Sequence, residues 1–244
     1  MTPITITRRI HLEQTDSTNS EARRLIDRGE LLSGLTLIDA DAQLNGRGQR
    51  GNSWESEPGK NLSFSLVCHP MFLKANEQFL LSQAIALAVA ECVDAEVKWP
   101  NDIYAGNRKL GGILIECDLK GCEIETCIIG TGINVNQTIF VSDAPNPVSL
   151  KQLTGQDYNR EELLKKITER FLTHYDSLSR GLYDNIRNSY AQRLYRRLGY
   201  HAYADVNGEF EASIAGIQPS GHLLLQLSDG EVRRYEFKEV RFIL

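Results

Sequence analysis

The sequence has few of the features that mark membrane, secreted or nucleic-acid-binding proteins. Its 244 residues contain no long basic run, and 27 Lys and Arg against 32 Asp and Glu give a net charge of −5, which does not favour a dedicated nucleic-acid binder. No apolar h-region of a signal peptide follows Met1. The longest apolar stretch, residues 84–93, is about half the length of a membrane span and contains Glu91. We therefore expect a cytoplasmic protein without membrane segments.

Cysteines are few, and none forms a C-x-x-C pair. Because the five cysteines are an odd number, a disulfide framework is not expected. Cys117, Cys122 and Cys127 are spaced five residues apart, which leaves a metal site open as an alternative. Small buried side chains in neighbouring strands are the simpler interpretation. The five histidines are scattered and lack the spacing of metal ligands.

The chain contains a long α+β pattern followed by a short all-β one. Before Gly199, helical periodicity alternates with strand-like runs, such as the one at residues 62–67. The remaining residues have no helical periodicity, but they contain Asn-Gly and Asp-Gly turns between short alternating segments. This change in pattern predicts two domains, residues 1–199 and residues 200–244, the second of which is typical of a small β-barrel.

Cap and turn signals give local predictions. Thr18-x-x-Glu21 matches a capping box, which predicts a helix that begins there and is closed by Gly29. Asn76 and Asn159 are predicted to cap two further helices, and another helix is predicted at residues 184–198. Strands are predicted at residues 35–38, 97–99, 113–117 and 124–129, and long loops at residues 41–61 and 137–150.

The segment GRGQRGNSW, residues 46–54, combines three glycines, two arginines and a tryptophan. Its glycines match G-x-G-x-x-G, but a dinucleotide-binding fold needs a long helix to begin in the motif, and residues 52–59 cannot form one. The favoured interpretation is an anion-binding loop, in which glycines let the backbone approach a ligand and Arg47 and Arg50 supply charge. Trp54 could cover a flat ring. A solvated surface loop is the third interpretation.

Two further segments bring charged side chains to strand ends. KWPND, residues 98–102, places Asn101 and Asp102 after a strand that Trp-Pro ends, where Asp102 could hold Mg²⁺. A simple Asn-Asp turn would also explain this segment alone. KLGGILIE, residues 109–116, begins with Lys109, which could act as a point charge on a carboxylate or phosphate. An exposed loop lysine is the alternative.

Neutral polar groups come from two more segments and one isolated residue. DSTN, residues 16–19, lies at a predicted helix start, where hydroxyls and free N–H groups can bind a ureido or carboxylate oxygen. GTGINVN, residues 130–136, would let a ligand approach Gly130 and contact Asn134. Gln43 is a further neutral hydrogen-bonding candidate. Taken singly, the two segments could be an ordinary helix cap and a tight turn.

In sequence order, these segments resemble the motif set of the biotin protein ligase family. The resemblance runs from about residue 10 to the C-terminus, and GRGxRGxxW followed by KWPND is its most specific part. It implies an α+β catalytic domain, with a mixed β-sheet flanked by helices as in class II aminoacyl-tRNA synthetases, followed by a small SH3-like β-barrel. It also implies an ATP-dependent, AMP-forming ligase that attaches biotin to one lysine of the biotin carboxyl carrier domain of a carboxylase.

The resemblance implies a role for each candidate residue. The expected catalytic residues are Lys109, Arg47 and Asp102, and Asp102 is also the expected Mg²⁺ ligand. The expected biotin-binding residues are Ser17, Thr18, Asn19, Gln43, Gly46, Arg47, Gly48, Gln49, Lys109 and Gly130. The expected ATP-binding residues are Arg50, Trp54, Asn101, Asp102 and Asn134.

Gln49 departs from the family pattern, which usually has arginine at this position of the glycine loop. That arginine is linked with holding biotin and its adenylate, so the resemblance implies a leakier or differently closed loop here. Many bacterial members also have an N-terminal winged helix that binds DNA. Because DSTN begins at residue 16, we expect the monofunctional type, with no DNA partner and no repressor activity. The sequence leaves a monomer and a homodimer open.

Two other functions fit parts of the pattern. A lipoate or octanoate ligase shares the fold but normally lacks the GRGxRG and KWPND pair. A biotin-sensing or carrier-docking protein without catalysis would not need Lys109 and Asp102. Binding of biotin against lipoate distinguishes the first alternative, and ATP-dependent biotin transfer distinguishes the second.

Overall fold

A mixed β-sheet organises the first part of the chain, whose computed structural model describes residues 4–31, 33–142 and 144–244, with the backbone alone at Arg50. The strands are β1 (Arg8–Thr15), β2 (Thr36–Gln43), β3 (Leu62–Cys68), β4 (Glu96–Lys98), β5 (Asp102–Ala105), β6 (Arg108–Lys120) and β7 (Glu123–Ile133). They are ordered β1-β2-β3-β7-β6-β5-β4. β1 and β2 pair in parallel, and the other neighbouring strands pair antiparallel.

Helices cover both faces of this sheet. They are α1 (Thr18–Asp27), α2 (Phe79–Val93), α3 (Leu150–Thr154), α4 (Arg160–Ser179) and α5 (Tyr183–Gln192). Neighbouring residues of β2 point to opposite faces: Leu37 joins the apolar cluster that contains α2, and Ile38 joins the cluster that contains α1. α2 is apolar nearly all round, as expected of a helix enclosed by α4, α5 and the sheet. The expected mixed sheet flanked by helices is confirmed.

The capping box predicted at Thr18 is wrong. α1 does begin at Thr18, but its N-cap residue is Ser17, which makes no side-chain cap hydrogen bond. Thr18 instead donates to Gln43 Oε1 through both its backbone N–H and its hydroxyl, at 2.8 and 3.2 Å. The residue that looked like a cap therefore belongs to a contact between α1 and β2. Gly29, in the left-handed conformation with φ of 74°, follows the helix as predicted.

Several other boundaries differ from the predictions. β1 was not predicted, and β2 extends to Gln43, into the predicted loop. β6 and β7 are longer than predicted, so Gly130 lies within a strand and not in a turn. A short 3₁₀ turn precedes α2, whose N-cap residue is Gln78 and not Asn76. α5 ends at Gln192, well before the predicted end. Asn159 caps α4 as predicted, accepting from two backbone N–H groups.

The C-terminal part forms an antiparallel sheet. Its strands are β8 (His201–Asp205), β9 (Gly208–Ile217), β10 (Leu223–Leu227), β11 (Val232–Tyr235) and β12 (Arg241–Phe242). The order is β11-β10-β9-β8-β12. The sequence predicted β8 to β11, and it missed β12. β11 and β12 lie at opposite ends of this order, and no ladder joins them within the described residues. A closed barrel is therefore not confirmed, and the SH3-like form stays a prediction.

The two parts of the chain pack through one apolar cluster. Tyr203 and Leu223 of the C-terminal sheet belong to the same cluster as α2 and the large sheet. Trp99, just after β4, donates its indole N–H to the Gly221 carbonyl at 2.8 Å. Within the described ranges, no helix is long and apolar enough to cross a membrane. The C-terminal sheet is thus fixed beside the end of β4, close to the KWPND segment.

Candidate functional site

A cavity of about 400 Å³ brings together most of the predicted site residues. Its walls come from the start of α1, the glycine loop at residues 46–54, strands β4 to β7, and residues 237–242 of the C-terminal part. The predicted site residues that line it are Ser17, Thr18, Asn19, Gln43, Arg47, Gly48, Gln49, Trp54, Asn101, Asp102, Lys109 and Gly130. Gly46 and Asn134 do not line it, and the Arg50 side chain lies outside the described part of the structure.

One end of the cavity, which we name the neutral end, is lined by Ser17, Thr18, Asn19, Gln43 and Gly130, with Ser65 buried beneath them. Thr18 lies in the first turn of α1, where backbone N–H groups lack helical partners, and Gln43 accepts its N–H. The Ser65 hydroxyl, fully buried on β3, lies 2.8 Å from Thr18 Oγ1 and 2.6 Å from Asn19 Oδ1. These contacts fix the polar groups of α1 against β2 and β3 before any ligand binds.

Glycines within strands make room for this arrangement. A Cβ added at Gly130 would lie 2.8 Å from Asn19 Cγ, and one at Gly132 would lie 2.5 Å from Trp54 Nε1. Both distances are too short for a real side chain, so β7 needs glycine at these positions for Asn19 and Trp54 to lie on the sheet. Glycine in a strand often marks a close approach of this kind, and here the approaching groups are side chains of the protein itself.

Glu116 ties the glycine loop to the neutral end. Its Oε2 accepts from the Asn19 amide at 2.8 Å and from the Arg47 guanidinium at 3.1 Å. The loop itself is folded back by hydrogen bonds from Gly48 N to Asn52 O and from Trp54 N to Gly46 O. Arg47 therefore already has an anionic partner, which a ligand anion would have to replace or share.

The opposite end, which we name the charged end, is formed by Lys98, Asp102 and Lys109. Lys109 Nζ lies 2.6 Å from Asp102 Oδ1 and 5.9 Å from the centroid of the Trp54 ring. Burial lowers the pKa of Lys98, and Asp102 partly opposes this effect. Burial also raises the pKa of the neighbouring Tyr104 to about 12. The three charged groups lie on successive strands, β4, β5 and β6.

The two predicted asparagines mainly support the backbone. Asn101 donates its amide to Ile113 O at 2.6 Å, and Ile113 N donates back to Asn101 O at 3.0 Å. Asn134 donates to Val148 O at 3.1 Å and so fastens the segment before α3 to β7. Asn101 lines the cavity, whereas Asn134 lies behind its wall. Asn134 is therefore not brought together with the other predicted ATP contacts.

One polar atom in the cavity wall is left without a partner. Trp54 Nε1 is buried and has no hydrogen-bond partner among the described groups, and Trp54 lines the cavity. Because buried donors and acceptors in folded proteins are almost always paired, this indole N–H is a candidate contact for a ligand.

The donor set around Asp102 limits what metal it could hold. No group of three His, Cys, Asp or Glu side chains suited to a metal occurs in the described residues. Asp102 contributes one carboxylate, and only its Oδ1 is paired with Lys109. Mg²⁺ commonly binds through one or two carboxylates together with substrate phosphates. The residues therefore fit a Mg²⁺ ion shared with a nucleotide and do not fit one held by protein alone.

Some site residues were missed. Glu116 could have been found from strand parity, since it lies two residues from Leu114, which lines the cavity. Ser65 had no such signal, because its role depends on contacts with Thr18 and Asn19 of α1. Lys98 is the first residue of KWPND, but it was not predicted to belong to the site because its place there depends on tertiary contacts. The C-terminal lining could not be located, because nothing local shows where that sheet packs. These C-terminal residues are Phe237, Lys238, Val240, Arg241 and Phe242.

Comparison with known proteins gives a consistent result. Residues 12–134 match the model of the Biotin/lipoate A/B protein ligase family. A biotin–[acetyl-CoA-carboxylase] ligase from Paracoccus denitrificans is 31% identical, over 88% of this chain and 92% of that protein. The bifunctional ligase/repressor BirA of Bacillus subtilis is also 31% identical, over 82% of this chain and 64% of its own length. The chain thus spans just under two thirds of that relative.

The solved structures include a close counterpart over the whole chain. A biotin protein ligase from Aquifex aeolicus, in complex with biotin and ATP, superposes with a TM-score of 0.80 and 25% sequence identity. The superposition covers 98% of this chain and all of that one, so it includes both sheets. Sequence, fold and cavity therefore lead to one assignment: the chain belongs to the biotin/lipoate A/B protein ligase family.

Proposed function

We infer that the chain is an ATP-dependent biotin protein ligase, which forms biotinyl-5′-AMP and then transfers biotin to a lysine of a biotin carboxyl carrier domain. The observation that supports this most strongly is one cavity with a neutral, hydrogen-bonding end and a charged end. The similarity to the Paracoccus ligase over 92% of its length supports the same reaction. We further propose a cytoplasmic enzyme. We leave the monomer and the homodimer open.

The neutral end suits the fused rings of biotin. A ureido group has one carbonyl acceptor and two N–H donors, and Ser17, Thr18, Asn19 and Gln43 offer complementary hydroxyl and amide groups. The buried positions of Ser17, Thr18 and Asn19 favour neutral partners, because an unpaired ion would be costly to bury there. Gly130 and Gly48 would let the backbone approach the bicyclic ring and the valeryl chain. Gly46 does not line the cavity and would affect biotin binding only by setting the course of the loop backbone.

The charged end suits adenylation. In the first step a biotin carboxylate oxygen attacks the α-phosphorus of ATP, forming a C–O–P linkage as the bond to the bridging oxygen breaks and pyrophosphate leaves. Two anions must approach, so Lys109 and Arg47 would neutralise charge at the reacting centre. Lys109 would leave its ion pair with Asp102, or share it, to reach the carboxylate and the α-phosphate. Trp54, Arg50 and Asn101 are proposed to surround the nucleotide.

Mg²⁺ would be held by Asp102 together with the nucleotide's own phosphate oxygens. When bound, the ion supplies positive charge that offsets the charge of the triphosphate. Asn101 would hold the backbone next to Asp102 in place through its contacts with Ile113. Asn134 would act indirectly, by fixing the wall behind the cavity.

The glycine loop would protect the intermediate from water. The adenylate is a mixed anhydride, and a closed site prevents its hydrolysis before the carrier lysine arrives. We propose that residues 44–56 rearrange on binding, with Arg47 exchanging Glu116 for a ligand anion. Gln49 has no guanidinium to bind the adenylate, so closure would be less tight than in relatives with arginine there.

Transfer to a carrier tests the proposal directly. A purified biotin carboxyl carrier domain, incubated with the chain, ATP, Mg²⁺ and biotin, should gain one covalent biotin adduct by intact-mass spectrometry. Omission of ATP and replacement of the carrier's target lysine by arginine are the matched controls, and neither should give an adduct. A carrier that stays unmodified under conditions where it is labelled by a known ligase would overturn the proposal.

A further inference from the structure

Lys98 has an unusual place in the cavity. It lies at the end of β4 and lines the cavity wall next to Asp102. Its ammonium nitrogen lies 5.0 Å from the ring centroids of both Tyr104 and Phe242. Tyr104 belongs to the large sheet and Phe242 to the C-terminal sheet, so the lysine is held between the two parts of the molecule.

The charge of Lys98 is not neutralised by a direct partner. No Asp or Glu in the described parts of the chain comes within 4.0 Å of its ammonium nitrogen. Lys109 and Arg47, which also line the cavity, differ from Lys98, since Lys109 is paired with Asp102 and Arg47 with Glu116. Burial of Lys98 lowers its pKa; the charge of Asp102 opposes this effect in part, and the nearby cations Lys109 and Arg196 lower the pKa further. A half-buried lysine held by aromatic rings alone is costly to the folded chain, as expected of a group that binds an anion.

The register of the sheet aligns Lys98 with the reacting centre. Gly132, Gly112, Asp102 and Lys98 are directly opposite one another across β7, β6, β5 and β4. Residues opposite each other in a sheet point to the same face. With strands about 4.8 Å apart, Lys98 lies roughly one strand spacing beyond Asp102, on the side away from the neutral end.

The direction of attack on the α-phosphorus determines which phosphates of ATP lie near Lys98. If biotin occupies the neutral end, its carboxylate reaches the α-phosphorus from the side of β7 and β6. In a phosphoryl-group displacement, the attacking and leaving oxygens are roughly in line on opposite sides of phosphorus. The bridging oxygen, and the pyrophosphate that leaves with the bonding electron pair, therefore face β5 and β4, where Lys98 supplies unneutralised charge.

We propose that Lys98 binds the β- and γ-phosphates of ATP and stabilises the departing pyrophosphate, with Phe242 of the C-terminal sheet holding it in place. This inference rests on the proposed function. Through the contact between Phe242 and Lys98, the C-terminal sheet would take part in adenylation, the first half-reaction. Binding of the β- and γ-phosphates also separates Lys98 from Lys109, which acts on the carboxylate and the α-phosphate.

Separate assays of adenylation and of transfer distinguish phosphate binding by Lys98 from a purely structural role. Lys98→Met keeps most of the side chain and removes its charge. It should reduce kcat/KM for ATP in biotin-dependent pyrophosphate exchange at least ~10-fold. Consumption of supplied biotinyl-5′-AMP by a carrier domain should stay within about twofold of the parent rate, since pyrophosphate takes no part in that step. Lys98→Arg should recover most of the exchange activity, because guanidinium also binds phosphate and packs on aromatic rings.

Controls make each outcome decisive. Lys165→Met removes an exposed lysine from α4 and should behave as the parent chain in both assays. Equal losses in exchange and transfer would overturn the proposal, as would unchanged exchange in Lys98→Met. If Lys98→Met does not fold, product inhibition of net adenylate formation by inorganic pyrophosphate, measured for Lys98→Arg and Lys98→Gln, decides. The inhibition constant should rise several-fold in Lys98→Gln only, and equal constants would overturn the proposal. A parent chain without any exchange would instead overturn the proposed function.

Discussion

The two ends of the cavity are built by different means. At the neutral end, Asn19 is 2% exposed and Ser65 fully buried, and hydrogen bonds among α1, β2 and β3 fix the polar groups in advance. At the charged end, the side chains of Lys109 and Asp102 are 29% and 19% exposed. Lys98, the third member of this end, contacts Phe242 of the C-terminal sheet.

This difference separates recognition from chemistry. A rigid set of neutral donors and acceptors selects a ring by hydrogen-bond geometry, because a mismatched group would leave buried partners unpaired. Charged groups in a more open region can shift between partners as anions arrive and leave. Changes at the neutral end should therefore alter KM for biotin, and changes at the charged end should alter adenylation.

Lys109→Ala should have the largest effect of the variants at the charged end. Removal of its charge should slow biotin-dependent pyrophosphate exchange at least ~10-fold, about 1.4 kcal/mol of transition-state stabilisation, while biotin affinity by isothermal titration falls much less. Exchange at the parent rate would remove Lys109 from the mechanism. An equal loss of biotin affinity would show that the two ends do not act separately.

Asp102→Ala should shift the Mg²⁺ dependence. Without this carboxylate, we expect the Mg²⁺ concentration for half-maximal exchange to rise about fivefold, because the ion would be held mainly by nucleotide phosphates. The measurement is a Mg²⁺ titration at saturating ATP and biotin. Glu57→Ala, which removes a carboxylate outside the cavity lining, is the matched control, and a curve for Asp102→Ala identical to that of the parent would contradict the metal role.

Ser65→Ala tests the neutral end. The variant removes a buried hydroxyl that contacts both Thr18 and Asn19, and loss of such a hydrogen bond costs about 1 kcal/mol. We expect KM for biotin to rise about fourfold, with KM for ATP unchanged. Ser179→Ala removes an exposed hydroxyl on α4 and should have no effect on either constant. A larger change in KM for ATP than in KM for biotin would contradict the assignment of biotin to the neutral end.

The sequence brought most of the motif segments to one site, and it missed residues whose place depends on distant contacts. The glycine loop, the DSTN segment and KWPND do meet in one cavity, because motif order and strand ends identify them. β1 was missed because its exposed, polar residues resemble a loop until β2 pairs with it. The tight turn that the sequence left open at Gly130 is not formed, and the Asn19 side chain that requires glycine there comes from more than a hundred residues away.

The same reasoning explains the C-terminal part. Its hairpin turns predicted β8 to β11, but β12 has only two residues and leaves no periodic signal. Phe242, in that short strand, packs beside Lys98 from the opposite end of the sequence. The charged end therefore includes residues that only the tertiary structure identifies, whereas the neutral end, apart from Ser65, was located from its motifs.

Gln49→Arg should have the smallest effect. An added guanidinium in the glycine loop would give the adenylate another charged contact. Because one exposed ionic contact contributes little free energy, we expect release of the adenylate from the enzyme to slow only about twofold. The measurement is the dissociation rate of biotinyl-5′-AMP in the absence of a carrier. Gln49→Lys distinguishes simple charge from the planar guanidinium, and equal release rates in all three chains would show that position 49 has no influence.

Formation of the adenylate in the absence of any carrier tests the account most directly. The chain is incubated with Mg²⁺, α-labelled ATP and either biotin or lipoate, and the products are separated. We predict that biotin yields labelled biotinyl-5′-AMP and one pyrophosphate for each adenylate, and that lipoate yields neither. Labelled ADP without an AMP adduct, or an adduct formed equally with lipoate, would contradict the claim that a neutral pocket delivers biotin to a charged adenylation centre.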